Sequence, residues 1–207
     1  QLAEVRNYKT GLKREKDLSD VKLIDQFQSS LVKEDEPTSL GINDYQAFLE
    51  IWEKEVEKRL GEKVIAMILF GSASRGQAKG SSDLDIFVFF DDKLISRENI
   101  NTKFIQIVLG LRKHTEYLKL AGRKIIPEIY PFLISKSLAS DTLWVFFDAT
   151  EEGIILKDTN DFAKKLISQV KKKIANLGGR KVKLPNGKSC WILYKNFSQI
   201  QLSPLSI

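Results

Sequence analysis

Residues 64–90 read VIAMILFGSASRGQAKGSSDLDIFVFF. Two apolar runs, Val64–Phe70 and Leu84–Phe90, enclose a loop rich in glycine and serine. Neither run alternates cleanly between apolar and polar positions, so each reads as a strand buried on both faces. The first ends on Gly71-Ser72, a pair suited to a sharp turn and a close backbone approach. The second opens on Asp83 and Asp85. In a strand, residues two apart point to the same side, so both carboxylates share one face while Leu84 and Ile86 face the core.

Two carboxylates held that close near a protein core repel unless a cation lies between them. Hard oxygen ligands in this arrangement suit Mg²⁺, or Mn²⁺ in its place, which keeps some waters and takes further ligands from substrate phosphates. Across the loop, the Ser72 hydroxyl and the amides after it, read as the start of a short helix, can cradle phosphate. Arg75 adds a planar, permanently charged donor for phosphate oxygens. Loop and strand together point to a metal-bound polyphosphate as ligand. A further carboxylate, Glu128, stands in the apolar stretch KIIPEIYPF. Either it faces water on an edge strand, or it turns toward Asp83 and Asp85 to bind a second metal or deprotonate the attacking group. Asp91 and Asp92 follow the second strand and read as a turn.

Outward from this centre, helices alternate with strands. Leu12–Leu31 reads as a helix, with Pro37 and Gly41 breaking the pattern after it. Asn43 and Gln46 form a capping box, and Tyr45, Phe48, Leu49, Trp52, Val56 and Leu60 make one stripe at helical spacing, closed by Gly61. Ser96–Leu120 reads as one long helix capped by Ser96 and stopped by Gly122. Lys124–Ser135 reads as a third strand, which Pro127 and Pro131 place at an edge or bulge. A short helix over Asp141–Ala149, a strand over Ile154–Leu156, a lysine-rich helix over Asp161–Leu177 and a hairpin over Lys181–Tyr194, folded at Asn186-Gly187, complete the reading. The fold class is α+β or mixed α/β, with helical decoration at the N-terminus. It divides into a helical extension over 1–42, a catalytic domain over 43–157, and a basic helix plus hairpin over 158–207.

Composition narrows the chemistry. The 207 residues are 43% apolar and 29% charged, as in an ordinary globular protein. Apolar runs are too short to span a bilayer and no basic-then-apolar leader opens the chain, so no membrane association is expected. Cys190 is the only cysteine, which excludes an internal disulfide and a multi-cysteine zinc site and suits a reducing cytoplasm. His114 is the only histidine and lies in a basic helical stretch, which leaves a Ser-His-Asp triad poorly supplied. The net charge of +6 comes from the end of the chain: residues 157–195 carry 11 Lys and Arg against 2 Asp and Glu. Such a run is ordinarily a solvated helix face; it is also the surface on which nucleic acid or an acidic partner would dock.

Gly71-Ser72, ten residues, then Asp83-Leu84-Asp85 resembles the signature of the DNA polymerase beta-type nucleotidyltransferase superfamily. Within it, the chain is similar to the stand-alone minimal nucleotidyltransferases of prokaryotes, especially archaeal forms with a basic C-terminal extension. The likeness covers residues 64–90 and continues more weakly through Glu128 and the GIILKD stretch; residues 1–42 match nothing in it. The resemblance implies an α+β fold with a mixed sheet flanked by helices, and Asp83 and Asp85 as Mg²⁺ ligands, with Glu128 as third acid by order and type alone. Gly71, Ser72, Arg75 and Ser82 would hold a nucleoside triphosphate, with ATP expected. The implied reaction is attack by a hydroxyl on the α-phosphorus with release of pyrophosphate, one metal ion activating the nucleophile and a second neutralising the leaving charge. Acceptors in the family include protein hydroxyls, among them those of a co-encoded HEPN-type toxin, as well as antibiotics and RNA ends. The alternative is a nucleotide-binding or partner-binding module of the same fold without catalysis.

Overall fold

The computed structural model describes residues 37–140, 146–184 and 189–193, and the described residues from Thr38 onward form one compact unit. Helix α1 spans Ile42–Leu60. A short 3-10 turn leads into β1, Val64–Phe70, and β2 follows at Leu84–Phe90. Helices α2, Arg97–Leu111, and α3, Thr115–Gly122, precede β3, Ile129–Ser135. Then come α4, Ala149–Glu152, β4, Ile154–Asp158, and α5, Phe162–Asn176. Strands β5, Arg180–Lys183, and β6, Ser189–Ile192, pair as an antiparallel hairpin. Its turn and the helix expected over Leu12–Leu31 lie outside the described residues.

The main sheet runs β3-β2-β1-β4. β1 is antiparallel to both β2 and β4, whereas β2 and β3 are parallel, so the sheet is mixed as expected. Both apolar runs owe their lack of alternation to cover on each face. Leu84, Ile86, Val88 and Phe90 pack with Val64, Met67 and Leu69 against the α1–α2–α3 layer. Phe87 and Phe89, with Ile65, Ala66 and Ile68, pack against α5 through Ala163, Leu166, Val170 and Ile174. The basic helix is therefore the second covering layer of the sheet, its lysines turned outward from an apolar stripe.

Several boundaries differ from the sequence reading for physical reasons. α1 starts two residues earlier than Asn43 implies, with Gly41 at the cap: the Gly41 N–H donates to Asp44 Oδ2 at 3.0 Å, while Gln46 bonds Glu50 instead. The expected helix over Ser96–Leu120 is two helices. Ser96 does cap the first, accepting from the Asn99 N–H at 3.3 Å. A continuous helix would carry the buried stripe from Leu111 to Leu118, yet Leu118 is 58% exposed and Leu120 is buried. The break at Arg112–His114 resets the phase. β3 is an edge strand, as its prolines imply, but it begins at Ile129. Pro127 lacks an N–H and the Glu128 N–H turns back to Ile126 O, so ladder pairing cannot extend to Lys124. α5 starts at Phe162, where the Asp158 carboxylate accepts from the Ala163 and Lys164 amides. Among the described residues no helix is long and apolar enough to cross a membrane.

Candidate functional site

The end of β1 and the start of β2 lie side by side, with Phe70 in register with Asp85. Gly71 then turns with φ +81°, in the left-handed region that glycine adopts without strain. Asp85 occupies the space beside it: a Cβ on Gly71 would lie 2.6 Å from Asp85 Oδ2. Only glycine lets this turn close against the carboxylate. The pair Gly71 and Asp85, 14 positions apart in the sequence, is thus one structural feature.

Residues 72–76 are turns, not the short helix expected after Ser72. The Gln77 N–H donates to Ser72 O at 2.9 Å and the Ser74 hydroxyl to Gly71 O at 2.9 Å, folding the loop into a compact knuckle over buried Ala73. The knuckle is fastened at its far side by an antiparallel bridge between Ala78 and Leu40. Ser72 Oγ makes no hydrogen bond to a described residue and remains available to a ligand. Ser82 Oγ accepts the Lys79 N–H at 2.9 Å, so it closes the next turn.

Asp83 is exposed and Asp85 half-buried at the loop's end. Burial pushes the Asp85 carboxyl above its ordinary range, the charge of Asp83 adds to the rise, and Arg75 opposes it. Two adjacent carboxylates, one of them reluctant to ionise without help, form a hard oxygen donor set that fits a divalent cation such as Mg²⁺. Arg75 is fixed at two points: Nε donates to Gln77 Oε1 at 3.2 Å and Nη1 to Glu152 Oε2 at 2.7 Å. Its Nη2 has no partner among the described residues.

Glu128 is not brought to this pair. Both of its carboxylate oxygens accept from Arg112 Nη2, at 2.9 and 2.8 Å, at the C-terminal end of α2. α2 belongs to the layer that covers Leu84 and Ile86, opposite the face that carries Asp85 and Phe87. Among the described residues no group of three or more His, Cys, Asp or Glu side chains is arranged to hold a metal. The residue of β3 in register with Asp85 is Tyr130, which is 57% exposed.

Sequence reasoning missed Glu152, which is bonded to Arg75, and Lys181, which is bonded to Glu152. The separations are 77 and 29 residues, and no local pattern marks either partner.

With this geometry in place, the family is decided by a match over most of the chain. The model of the nucleotidyltransferase domain family matches residues 49–182, from within α1 to within β5. The chain belongs to the nucleotidyltransferase domain family. Among relatives, the protein adenylyltransferase MntA of Thermococcus cleftensis is 35% identical over 78 residues, which are 35% of this chain and 73% of that protein. Similar solved structures include a toxin–antitoxin crystal structure with AMP-PNP, 20% identical with a TM-score of 0.40, covering 62% of this chain and 87% of that one. Another is the tri-AMPylated Shewanella oneidensis HEPN toxin in complex with MNT antitoxin, 16% identical with a TM-score of 0.36, covering 65% and 86%. The nucleotidyltransferase domain match takes in β1, β2 and the whole loop between them.

Proposed function

We propose that this nucleotidyltransferase transfers AMP from ATP to a hydroxyl group of a partner protein and releases pyrophosphate. The observation that carries the reading is the closure of the Gly71 turn onto Asp85, beside Asp83, inside a nucleotidyltransferase domain. The similarity to an adenylyltransferase that acts on protein supports the nucleotide and the acceptor class. A co-encoded HEPN-type protein is the first acceptor to test.

In this proposal Asp83 and Asp85 hold Mg²⁺, which when bound offsets the triphosphate's charge and polarises the α-phosphate. The Gly71 turn lets the triphosphate approach the backbone, Ser72 Oγ donates to a phosphate oxygen, and the free Nη2 edge of Arg75 faces the same anion. Ser82 keeps Asp83 in place through the turn it closes rather than by touching nucleotide. Glu128, held by Arg112, stands outside the metal-binding pair. The site acts in the cytoplasm, where ATP and Mg²⁺ are both abundant.

The test is isotopic. With Mg²⁺ and acceptor, label is expected to pass to protein from α-labelled ATP and not from γ-labelled ATP, and chelation is expected to stop it. Transfer of γ-label would identify a kinase and sink the proposal. Metal-dependent ATP binding without transfer to a co-encoded partner or to lysate protein would indicate the binding module.

A further inference from the structure

The C-terminal hairpin reaches the candidate site through one lysine. Lys181, on β5, donates to Glu152 Oε1, and its Nζ lies 3.0 Å from Asp148 Oδ1 and 3.7 Å from Glu151 Oε2. The other oxygen of Glu152 accepts from Arg75. On β6, the Trp191 indole N–H donates to Asp148 Oδ1 at 3.0 Å, and its ring meets Phe147 edge-on at 5.6 Å. Lys181 and Glu152 are each under one-fifth exposed. The hairpin is thereby pinned to α4, and α4 to the guanidinium beside Asp85.

We propose that Lys181 is a positioning residue for nucleotide binding: by neutralising Glu152 from the C-terminal hairpin, it leaves Arg75 oriented yet electrostatically free to receive phosphate. The inference rests on the reading of Arg75 as a triphosphate ligand.

Charge balance carries the argument. Arg75 has five N–H donors and commits one to Gln77 and one to Glu152, so its orientation is set while its outer edge stays open. A carboxylate so close to a phosphate site would ordinarily repel the ligand and hold the arginine back for itself. Lys181 supplies a compensating charge, shared among Glu152, Asp148 and Glu151, at low exposure, where screening by water and salt is weak. Burial disfavours the ionised form of Glu152, but the hydrogen bonds and charges of Lys181 and Arg75 outweigh it and hold its carboxyl below the ordinary range. Glu152 is therefore a negative charge at neutral pH, and both cations stabilise it.

The experiment is a double-mutant cycle read by ATP affinity in Mg²⁺, with thermal midpoints recorded alongside. Lys181→Met is expected to raise the Kd for ATP about tenfold, and Lys181→Arg to restore it to within about threefold, in line with the coupling usual for contacting charges. In a Glu152→Gln background, where Gln still accepts from Arg75, Lys181→Met is expected to cost less than about threefold. Equal ATP affinity for wild type and Lys181→Met, or an equal loss in both backgrounds, overturns the inference by reducing Lys181 to a hairpin anchor. Arg75→Ala separates the two levels of reading. If wild type binds ATP and Arg75→Ala binds it equally well, Arg75 is no ligand and the inference falls while the AMP-transfer proposal stands. Failure of wild type to bind ATP overturns both.

Discussion

At the scale of single residues, the site is a contest between Asp85 and its surroundings. Gly71 makes room for the carboxylate, the apolar ends of β1 and β2 half-bury it, and Asp83 adds a like charge. Because burial and then Asp83 raise its pKa, folded protein keeps the Asp85 proton to higher pH than the unfolded chain does. Stability contributed by this group is greatest below the ordinary carboxylate range and falls as pH rises through the raised value, so ionised Asp85 is a net cost at neutral pH. Asp85→Asn is therefore expected to raise the thermal midpoint of metal-free protein at pH 7. The rise should be at most about 2–4 °C, the shift of roughly 1 kcal/mol in a domain of this size, because the group is partly solvated. The difference should close on acidification, and Mg²⁺ should stabilise wild type more than the variant. Scanning calorimetry at two pH values, with and without Mg²⁺, checks each part. A variant that fails to fold would make Asp85 a structural residue.

At the scale of elements, what local pattern could encode was legible and what depended on distant partners was not. Uninterrupted apolar runs announced β1 and β2, and the Gly-Ser and Asp-Leu-Asp spacing announced their junction, because adjacent strands joined by one loop keep their chemistry close in the sequence. The stripe from Tyr45 to Leu60 announced α1 for the same reason. The break between α2 and α3 was hidden, since Leu118 fits the helical period equally well whether buried or exposed. Glu128 was legible as an anomaly, a carboxylate in an apolar stretch, but not in its partner: Arg112 lies 16 residues back on another element. That ion pair is 51% and 37% exposed, so it contributes about 0.2–1 kcal/mol. Glu128→Gln is accordingly expected to cost no more than about 1 kcal/mol in urea unfolding and to leave AMP transfer within about tenfold of wild type. Removing a general base would instead cost about 10²–10⁴-fold. A loss of that size with ATP affinity intact would return Glu128 to the catalytic set.

At the scale of the whole molecule, the positive charge and the site belong to one layered body. α5 is fixed to the sheet by Ala163, Leu166, Val170 and Ile174. Its exposed Lys171, Lys172 and Lys173 consequently form a rigid outward face rather than a loose tail. None of the three forms an ion pair with a described residue, and none is among the side chains that meet Arg75, Glu152 or Asp148. The net charge alone could not say whether this face is solvated or used, because both uses demand the same lysines. The two separate by their response to salt. As a solvated face, the lysines act only through long-range fields, which fade beyond about 8 Å at 0.15 M ionic strength. Replacing all three with Gln is then expected to leave ATP affinity and acceptor modification unchanged at that ionic strength. As a docking face for nucleic acid, each lysine that meets a phosphate would add roughly 0.9 to the slope of log affinity against log salt. Titrating wild type and the triple variant with a fluorescent oligonucleotide at several salt concentrations reads that slope directly. Equal slopes and equal affinities assign the lysines to solvation. A slope lower by about 2–3 in the variant would instead make α5 a nucleic-acid contact on the face of the sheet that also carries Asp85.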